Sequence, residues 1–284
     1  MKRITITGAA GLLGPTVAGY FVEKGYEVLS TDIKPPATMI PNTRFVPANL
    51  GNLGECYGVL EEAEALIHLA AIPRAYWYPN EVTFGNNVTA SYNILEAAAG
   101  RGIKKAVLAS SECIYGIVTT KKGLIPAYVP MDEDHPLLPE DAYSLSKICA
   151  EAAAGVFHRR TGMQIVSFRL GNVITREMYA NFPGFIHDPK PRKPILWSYI
   201  DARDIAAACE LAILKDGLGS VTVNLAADDT SADITTGELL KAEFPAITDI
   251  RCPVDGYHTL LSNKKAKEVL GWKPVHFWRD NVRL

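Results

Sequence analysis

The chain has 284 residues, 48% of them hydrophobic and 21% charged, and a net charge of −2. That size suits one large globular domain, or one domain with a small lobe, and the near-balanced charge gives no electrostatic case for nucleic acid or an anionic membrane. No apolar run reaches transmembrane length, and six histidines without ligand spacing argue against a metal site. The first strand pattern begins at residue 4, which leaves no room for a signal peptide. Five cysteines with no Cys-x-x-Cys pair point to reduced thiols and a cytoplasmic protein.

The β-branched run Ile4-Thr5-Ile6-Thr7 predicts a strand. It runs into Gly8-Ala9-Ala10-Gly11-Leu12-Leu13-Gly14, which opens a helical pattern over residues 13–24. Glycines at a strand-to-helix turn let the backbone approach a pyrophosphate, and the helix N-terminus favours its charge. Residues 27–32 predict a second strand that ends in Asp32, at the spacing expected for an acid that binds the adenosine ribose hydroxyls. Gly8, Ala10, Gly11, Leu12, Leu13, Asp32 and Ile33 are therefore the expected dinucleotide contacts. The Asp32 carboxylate would repel a 2′-phosphate and so favours NAD over NADP; Lys34, close by, pulls slightly the other way.

Alternating strand and helix patterns continue to about residue 170, which predicts an α/β Rossmann fold with a doubly wound parallel sheet. Residues 43–47 predict a third strand, 64–71 a fourth running into small residues, 86–100 a helix and 105–111 a fifth strand. Residues 116–140 form a long proline-containing connection. Residues 142–160 predict a helix and 164–170 a sixth strand. Beyond these, residues 176–194 look irregular, 197–200 predict a short strand, 203–214 a helix, 221–225 a strand, and 236–244 and 262–270 helices. The expected division is a dinucleotide-binding domain over 1–170 and, over 171–284, a mixed segment supplying a small substrate lobe and the last sheet elements.

Tyr143 and Lys147 lie four apart at the start of the helix over 142–160, so they share a face. An ammonium beside a phenol favours the phenolate and suits it to proton transfer near neutral pH. Alone this spacing fits any helix surface; behind a glycine turn and ribose acid it gains meaning.

Together these motifs resemble the extended short-chain dehydrogenase/reductase superfamily, in its NAD-dependent epimerase/dehydratase group. Thr7-Gly8-x-x-Gly11-x-x-Gly14 is similar to the cofactor motif, and His68-Leu69-Ala70-Ala71 to the segment lining the cofactor after the fourth strand. Asn87 to Ala97 resembles the Asn-Val-x-Gly-Thr-x-Asn helix, and Ser110 to Gly116 the Ser-Ser-x-x-Val-Tyr-Gly strand end. Arg169-Leu170-Gly171-Asn172-Val173 and Leu270-Gly271-Trp272-Lys273-Pro274 complete the set. The resemblance implies Tyr143 as general acid/base, Lys147 as its pKa-lowering partner and nicotinamide-ribose ligand, and Ser111 as the hydroxyl that bonds the reacting oxygen. Asn87 either supports Lys147 through a water or caps a helix start. His68 reads as a core histidine whose backbone nears the cofactor. Where many relatives carry Asp-Leu to hold the adenine amino group, this chain has Asn49-Leu50.

Three chemistries compete. Nucleotide-sugar epimerases carry a much longer segment than the one between Val173 and Tyr199 here. Dehydratases place Asp and Glu after the catalytic Thr, where this chain has Glu112-Cys113. The compact layout resembles uronate and related sugar dehydrogenases, which implies oxidation of a small sugar or sugar acid by NAD. Expected substrate contacts are Arg74, Ser111, Glu112, Cys113, Asn172 and Arg176; an ordinary surface role is open for each arginine. A non-catalytic NAD-binding protein is a further alternative, opposed by retention of Ser111, Tyr143 and Lys147. Small residues at 97–100 and 149–155 allow close helix approach, either between two copies, as a homodimer paired through these helices, or in packing within the monomer.

Overall fold

Short β-branched and apolar runs separated by amphipathic segments fold as a layered α/β structure, and the computed structural model describes residues 2–282. The elements are β1 (Arg3–Thr7), α1 (Gly14–Glu23), β2 (Glu27–Asp32), β3 (Thr43–Pro47), α2 (Leu53–Val59), β4 (Ala65–His68), α3 (Asn80–Gly100) and β5 (Lys105–Ser111). There follow α4 (Ala142–Thr161), β6 (Gln164–Leu170), β7 (Val173–Ile174), β8 (Ile200–Asp201), α5 (Ala202–Leu214), β9 (Ser220–Leu225), α6 (Thr236–Glu243), α7 (Lys264–Leu270) and α8 (Trp278–Asn281).

Seven strands form one sheet in the order β3-β2-β1-β4-β5-β6-β9. The order reverses between β1 and β4, and in such sheets ligands bind beyond the carboxyl ends of the strands at this reversal. Parallel register sets Thr7 beside both Thr31 and His68, so the segments after β1, β2 and β4 leave from one edge. The fold class expected from the sequence is the one observed.

Chain boundaries depart from expectation where local signals are weak. The third helix starts at Asn80, not at residue 86: Pro79 precedes it, and Gly85 and the Asn86-Asn87 pair, poor helix formers, hide its first turns. Helix α2, capped by the Asn52 side chain, and the short α8 are additional. The stretch over 176–194 is not wholly irregular; residues 176–184 and 193–195 form 3-10 turns. The short strand lies at Ile200–Asp201 and pairs with Val173–Ile174, three residues later than the pattern suggested.

Two compact units interleave along the chain. One comprises Met1–Ser110, Asp141–Phe168 and Ala206–Thr222; the other Ser111–Glu140, Arg169–Ile205 and Val223–Leu284. In the first unit Leu66, Ile94, Leu95, Leu108, Phe157 and Ile165 form a fully packed core with Ala97, Ala98 and Ala154. Those alanines are thus used inside the unit, whereas Val82, Tyr92, Leu145 and Val156 are the large apolar side chains exposed on α3 and α4. In the second unit Tyr179, Phe182, Ile186, Tyr199 and Trp278 form their own cluster.

Candidate active site

The glycine turn is built for close approach. Gly8 has φ +75, and a Cβ there would stand 2.6 Å from the Ala70 nitrogen; one at Gly14 would stand 2.3 Å from the Gly8 carbonyl oxygen. Gly11 N–H closes the turn by donating to Gly8 O at 3.1 Å. Helix α1 then begins with no side-chain cap, so its first N–H groups keep no side-chain acceptor. Ala10 lies in the turn, Leu12 is exposed beside it, and Leu13 turns inward. Uncapped donors at a positive helix end, reached across glycines, fit a pyrophosphate.

Asp32, at the end of β2, accepts from Ala10 N–H at 3.0 Å and from Ile33 N–H at 2.7 Å. Its carboxylate is thereby fixed beside the turn, with Ile33 exposed as an apolar surface. Asn49 is exposed, its side-chain oxygen accepting from Gly51 N–H at 2.9 Å, and Leu50 is buried next to it. Asn93 Nδ2 donates to Leu50 O at 3.0 Å and fixes that backbone.

After β4, the Thr7 hydroxyl accepts from Leu69 N–H at 3.2 Å and Ala70 N–H at 3.3 Å. With both donors on its oxygen, the Thr7 hydroxyl hydrogen goes to His68 Nδ1 at 2.8 Å, leaving His68 Nε2–H for Ser91 at 3.2 Å. Burial, with the Lys147 charge adding to it, pushes the His68 ring down to about 3, so it stays neutral. His68 is a core residue that, through Thr7, helps fix the Leu69-Ala70 backbone.

Asn87 is buried inside α3, seven residues past its start, so the helix-start cap is ruled out. Its side chain clamps Ile72 in both directions, accepting from Ile72 N–H at 2.8 Å and donating to Ile72 O at 3.1 Å. It also donates to the Ser146 hydroxyl at 3.2 Å, one residue before Lys147. Asp141 caps α4 by accepting from Ser144 N–H at 2.8 Å, which sets the first turn carrying Tyr143. Tyr143 and Lys147 are both buried; Lys147 Nζ donates to Ala109 O at 2.7 Å and lies 5.6 Å from the centre of the Tyr143 ring. Arg74 is exposed and stacked 4.6 Å from Trp77.

The other unit carries Ser111, Glu112, Cys113, Asn172 and Arg176. Ser111 ends β5, and its hydroxyl accepts from Cys113 N–H at 3.2 Å. Cys113 is half-buried. Glu112 is buried, and burial pushes its carboxyl up to about 8 against the pull of the Arg192 guanidinium. Asn172 follows β6, and its side-chain oxygen accepts from Arg192 Nη2 at 3.0 Å. Arg176 is exposed at the start of a 3-10 turn and takes no part in that cluster. Sequence reasoning missed Arg192. It lies in a proline-rich stretch with no periodicity, and three adjacent cationic positions, Lys190, Arg192 and Lys193, look alike until the fold distinguishes them.

Among curated proteins, the chain is 26% identical to a UDP-glucose 4-epimerase of Corynebacterium glutamicum over 313 aligned positions, covering 96% of this chain and 91% of that one. It is also 26% identical to a uronate dehydrogenase of Pseudomonas putida over 232 positions, covering 80% and 77% respectively. A short-chain dehydrogenase/reductase superfamily protein from Agrobacterium tumefaciens, solved with NAD bound, shares the fold with a TM-score of 0.74 at 22% identity, covering 98% of this chain and 94% of that one. Residues 4–226 match the model of the NAD dependent epimerase/dehydratase family. With the glycine turn, Asp32 at the end of β2 and the reversed strand order all in place, the chain belongs to the NAD dependent epimerase/dehydratase family, and its cofactor is NAD.

Proposed function

We propose that this protein is a dehydrogenase that oxidises a hydroxyl of a small sugar or sugar acid with NAD. The observation that carries the reading is the segment between β7 and β8. Among its described residues it holds only 3-10 turns, and it spends its large side chains Tyr179, Phe182 and Ile186 on its own core. Little remains there to wrap a nucleoside diphosphate. One relative supports it: alignment to the epimerase runs over 313 positions for 96% of this 284-residue chain, so that enzyme carries segments lacking here.

In this reading Tyr143 takes the proton of the substrate hydroxyl, and Ser111 donates a hydrogen bond to the same oxygen. When bound, NAD supplies the hydride acceptor. The buried Lys147 ammonium favours the Tyr143 phenolate, and its bond to Ala109 O fixes where that charge sits. Asn87 positions Lys147 through Ser146, the residue before it. Asp32 and the turn around Gly8 and Gly11 hold the adenosine ribose and pyrophosphate, with Leu12, Leu13, Ile33, Asn49, Leu50 and Leu69 to Ala71 lining the cofactor. Glu112-Cys113 in place of an acid pair disfavours dehydration. Exposed Tyr92, Leu145 and Val156 support pairing of two copies through α3 and α4.

The second reading, a nucleotide-sugar 4-epimerase, is favoured by the 96% of the chain that aligns with such an enzyme. NADH absorbance separates the two. Incubated with NAD and a panel of free aldoses, uronates and polyols, a dehydrogenase accumulates NADH. An epimerase accumulates none and instead interconverts UDP-glucose and UDP-galactose.

A further inference from the structure

We propose that Glu151 is a positioning residue for the acid/base pair: through Ser110 it holds the backbone carbonyl on which the Lys147 ammonium rests. The inference rests on the reading above for Tyr143 and Lys147 as the working pair, and not for the identity of the sugar.

Tyr143, Lys147 and Glu151 follow one another at four-residue steps along α4, so the three share one flank of the helix. From that flank the helix reaches the end of β5 twice, at adjacent residues. Lys147 Nζ donates to Ala109 O at 2.7 Å, and the Ser110 hydroxyl donates to Glu151 Oε1 at 2.6 Å. All of these residues belong to one compact unit. Ser110 is buried, and the pairing of β5 with β4 ends at Leu108, opposite His68. Beyond that register β4 no longer holds the strand, and the two bonds from α4 take over.

Covalent geometry couples the two bonds. The Ala109 carbonyl and the Ser110 Cα lie in one planar peptide unit. Fixing Ser110 therefore fixes the direction of the oxygen that Lys147 binds. A hydroxyl donating to a carboxylate at 2.6 Å is a charge-assisted bond, stronger than one between neutral groups. Without it the peptide can turn about the bonds that flank it. The ammonium then has no fixed seat, and its effect on the Tyr143 phenol, whose ring centre lies 5.6 Å away, is spread over several arrangements. Such a loss of placement lowers the rate without removing any reacting group. Glu151 stands eight residues beyond Tyr143, about 12 Å along the helix, so it acts through Ser110 and not on the reacting oxygen.

The experiment compares Glu151→Ala, Glu151→Gln and Ser110→Ala with the parent protein, each saturated with NAD, on the panel of free aldoses, uronates and polyols. NADH formation gives kcat and KM, per mole of protein that binds NAD. The expected result is that Glu151→Ala and Ser110→Ala each lower kcat about tenfold, with the sugar KM within about twofold of the parent. Glu151→Gln keeps an oxygen for the Ser110 hydroxyl and should stay within about threefold of the parent. Because both alanines break the same bond, the double variant should be no slower than either single one. Unchanged kcat in Glu151→Ala, with only a lower melting temperature, would confine Glu151 to the fold and overturn the inference. So would a Glu151→Gln protein as slow as Glu151→Ala, or a double variant whose losses multiply. If Glu151→Ala does not fold, Ser110→Ala against Glu151→Gln decides: a slow first and a near-parent second support the inference, and any other pairing overturns it. A parent protein that forms no NADH but interconverts UDP-glucose and UDP-galactose would sink the dehydrogenase reading alone. The same variants are then compared on that interconversion, with the same factors expected.

Discussion

Asp32 Oδ2 accepts the Ala10 N–H at 3.0 Å, which joins the acid at the end of β2 to the glycine turn after β1. The group expected to meet the ribose therefore also braces the turn expected to meet the pyrophosphate. Asp32→Ala should lower NAD affinity about 10- to 100-fold, the worth of a hydrogen bond to a charged group. Asp32→Asn keeps an acceptor and should fall between, with weaker discrimination against NADP. Fluorescence titration with NADH and NADPH checks both; an unchanged NADH affinity in Asp32→Ala would remove Asp32 from the cofactor site.

Gly8 and Gly25 both have positive φ, yet only Gly8 faces a neighbour. At Gly25 an added Cβ meets nothing within 4 Å. Gly25→Ala should cost about 1–2 kcal/mol of backbone strain and leave NAD affinity intact. Gly8→Ala adds a clash with the Ala70 backbone and should abolish NAD binding as well as lowering the melting temperature further. Thermal melts with and without NAD measure both effects.

Much of the cofactor half is legible in the sequence because its determinants are local. A turn needing Gly8, an acid closing a strand and a Tyr-Lys pair one helical turn apart each leave a mark within a few residues. What the pattern missed is set by distant partners. The start of α3 at Asn80 is masked by Gly85 and Asn86, and Asn87 acquires its role only through Ile72 and Ser146. Arg192 is singled out by Trp197, Asn172 and Ser231, none of which is near enough in a regular element to leave a period.

Asn87→Leu would leave the Ile72 N–H and C=O without their clamp. Two lost bonds to partly buried backbone groups should cost about 2–4 kcal/mol. Turnover should fall beyond what unfolding explains, because Ser146 and hence Lys147 lose their brace. Denaturant melts paired with kcat measurements test this; lost stability with unchanged kcat in the folded fraction would confine Asn87 to the fold.

Burial raises the Glu112 carboxyl from about 4.5 to about 8. Between those values the native state holds a proton that the unfolded chain has released, so stability from this group falls as pH rises and is flat outside that window. Glu112→Gln removes the ionisation. It should raise the melting temperature relative to the parent at pH 8, with the gain shrinking toward pH 5. A gain independent of pH would show that Glu112 ionises normally in the folded protein.

In a dehydrogenase, unlike an epimerase, hydride leaves the sugar permanently. A substrate deuterated at the carbon being oxidised, incubated with the protein and NAD, should yield released NADH carrying one deuteron per oxidised sugar by mass spectrometry. The Tyr143→Phe protein should still bind NAD and lose this transfer by about 100-fold or more. Label that never appears in free NADH, but stays on a sugar whose configuration has inverted, would contradict the account and establish an epimerase.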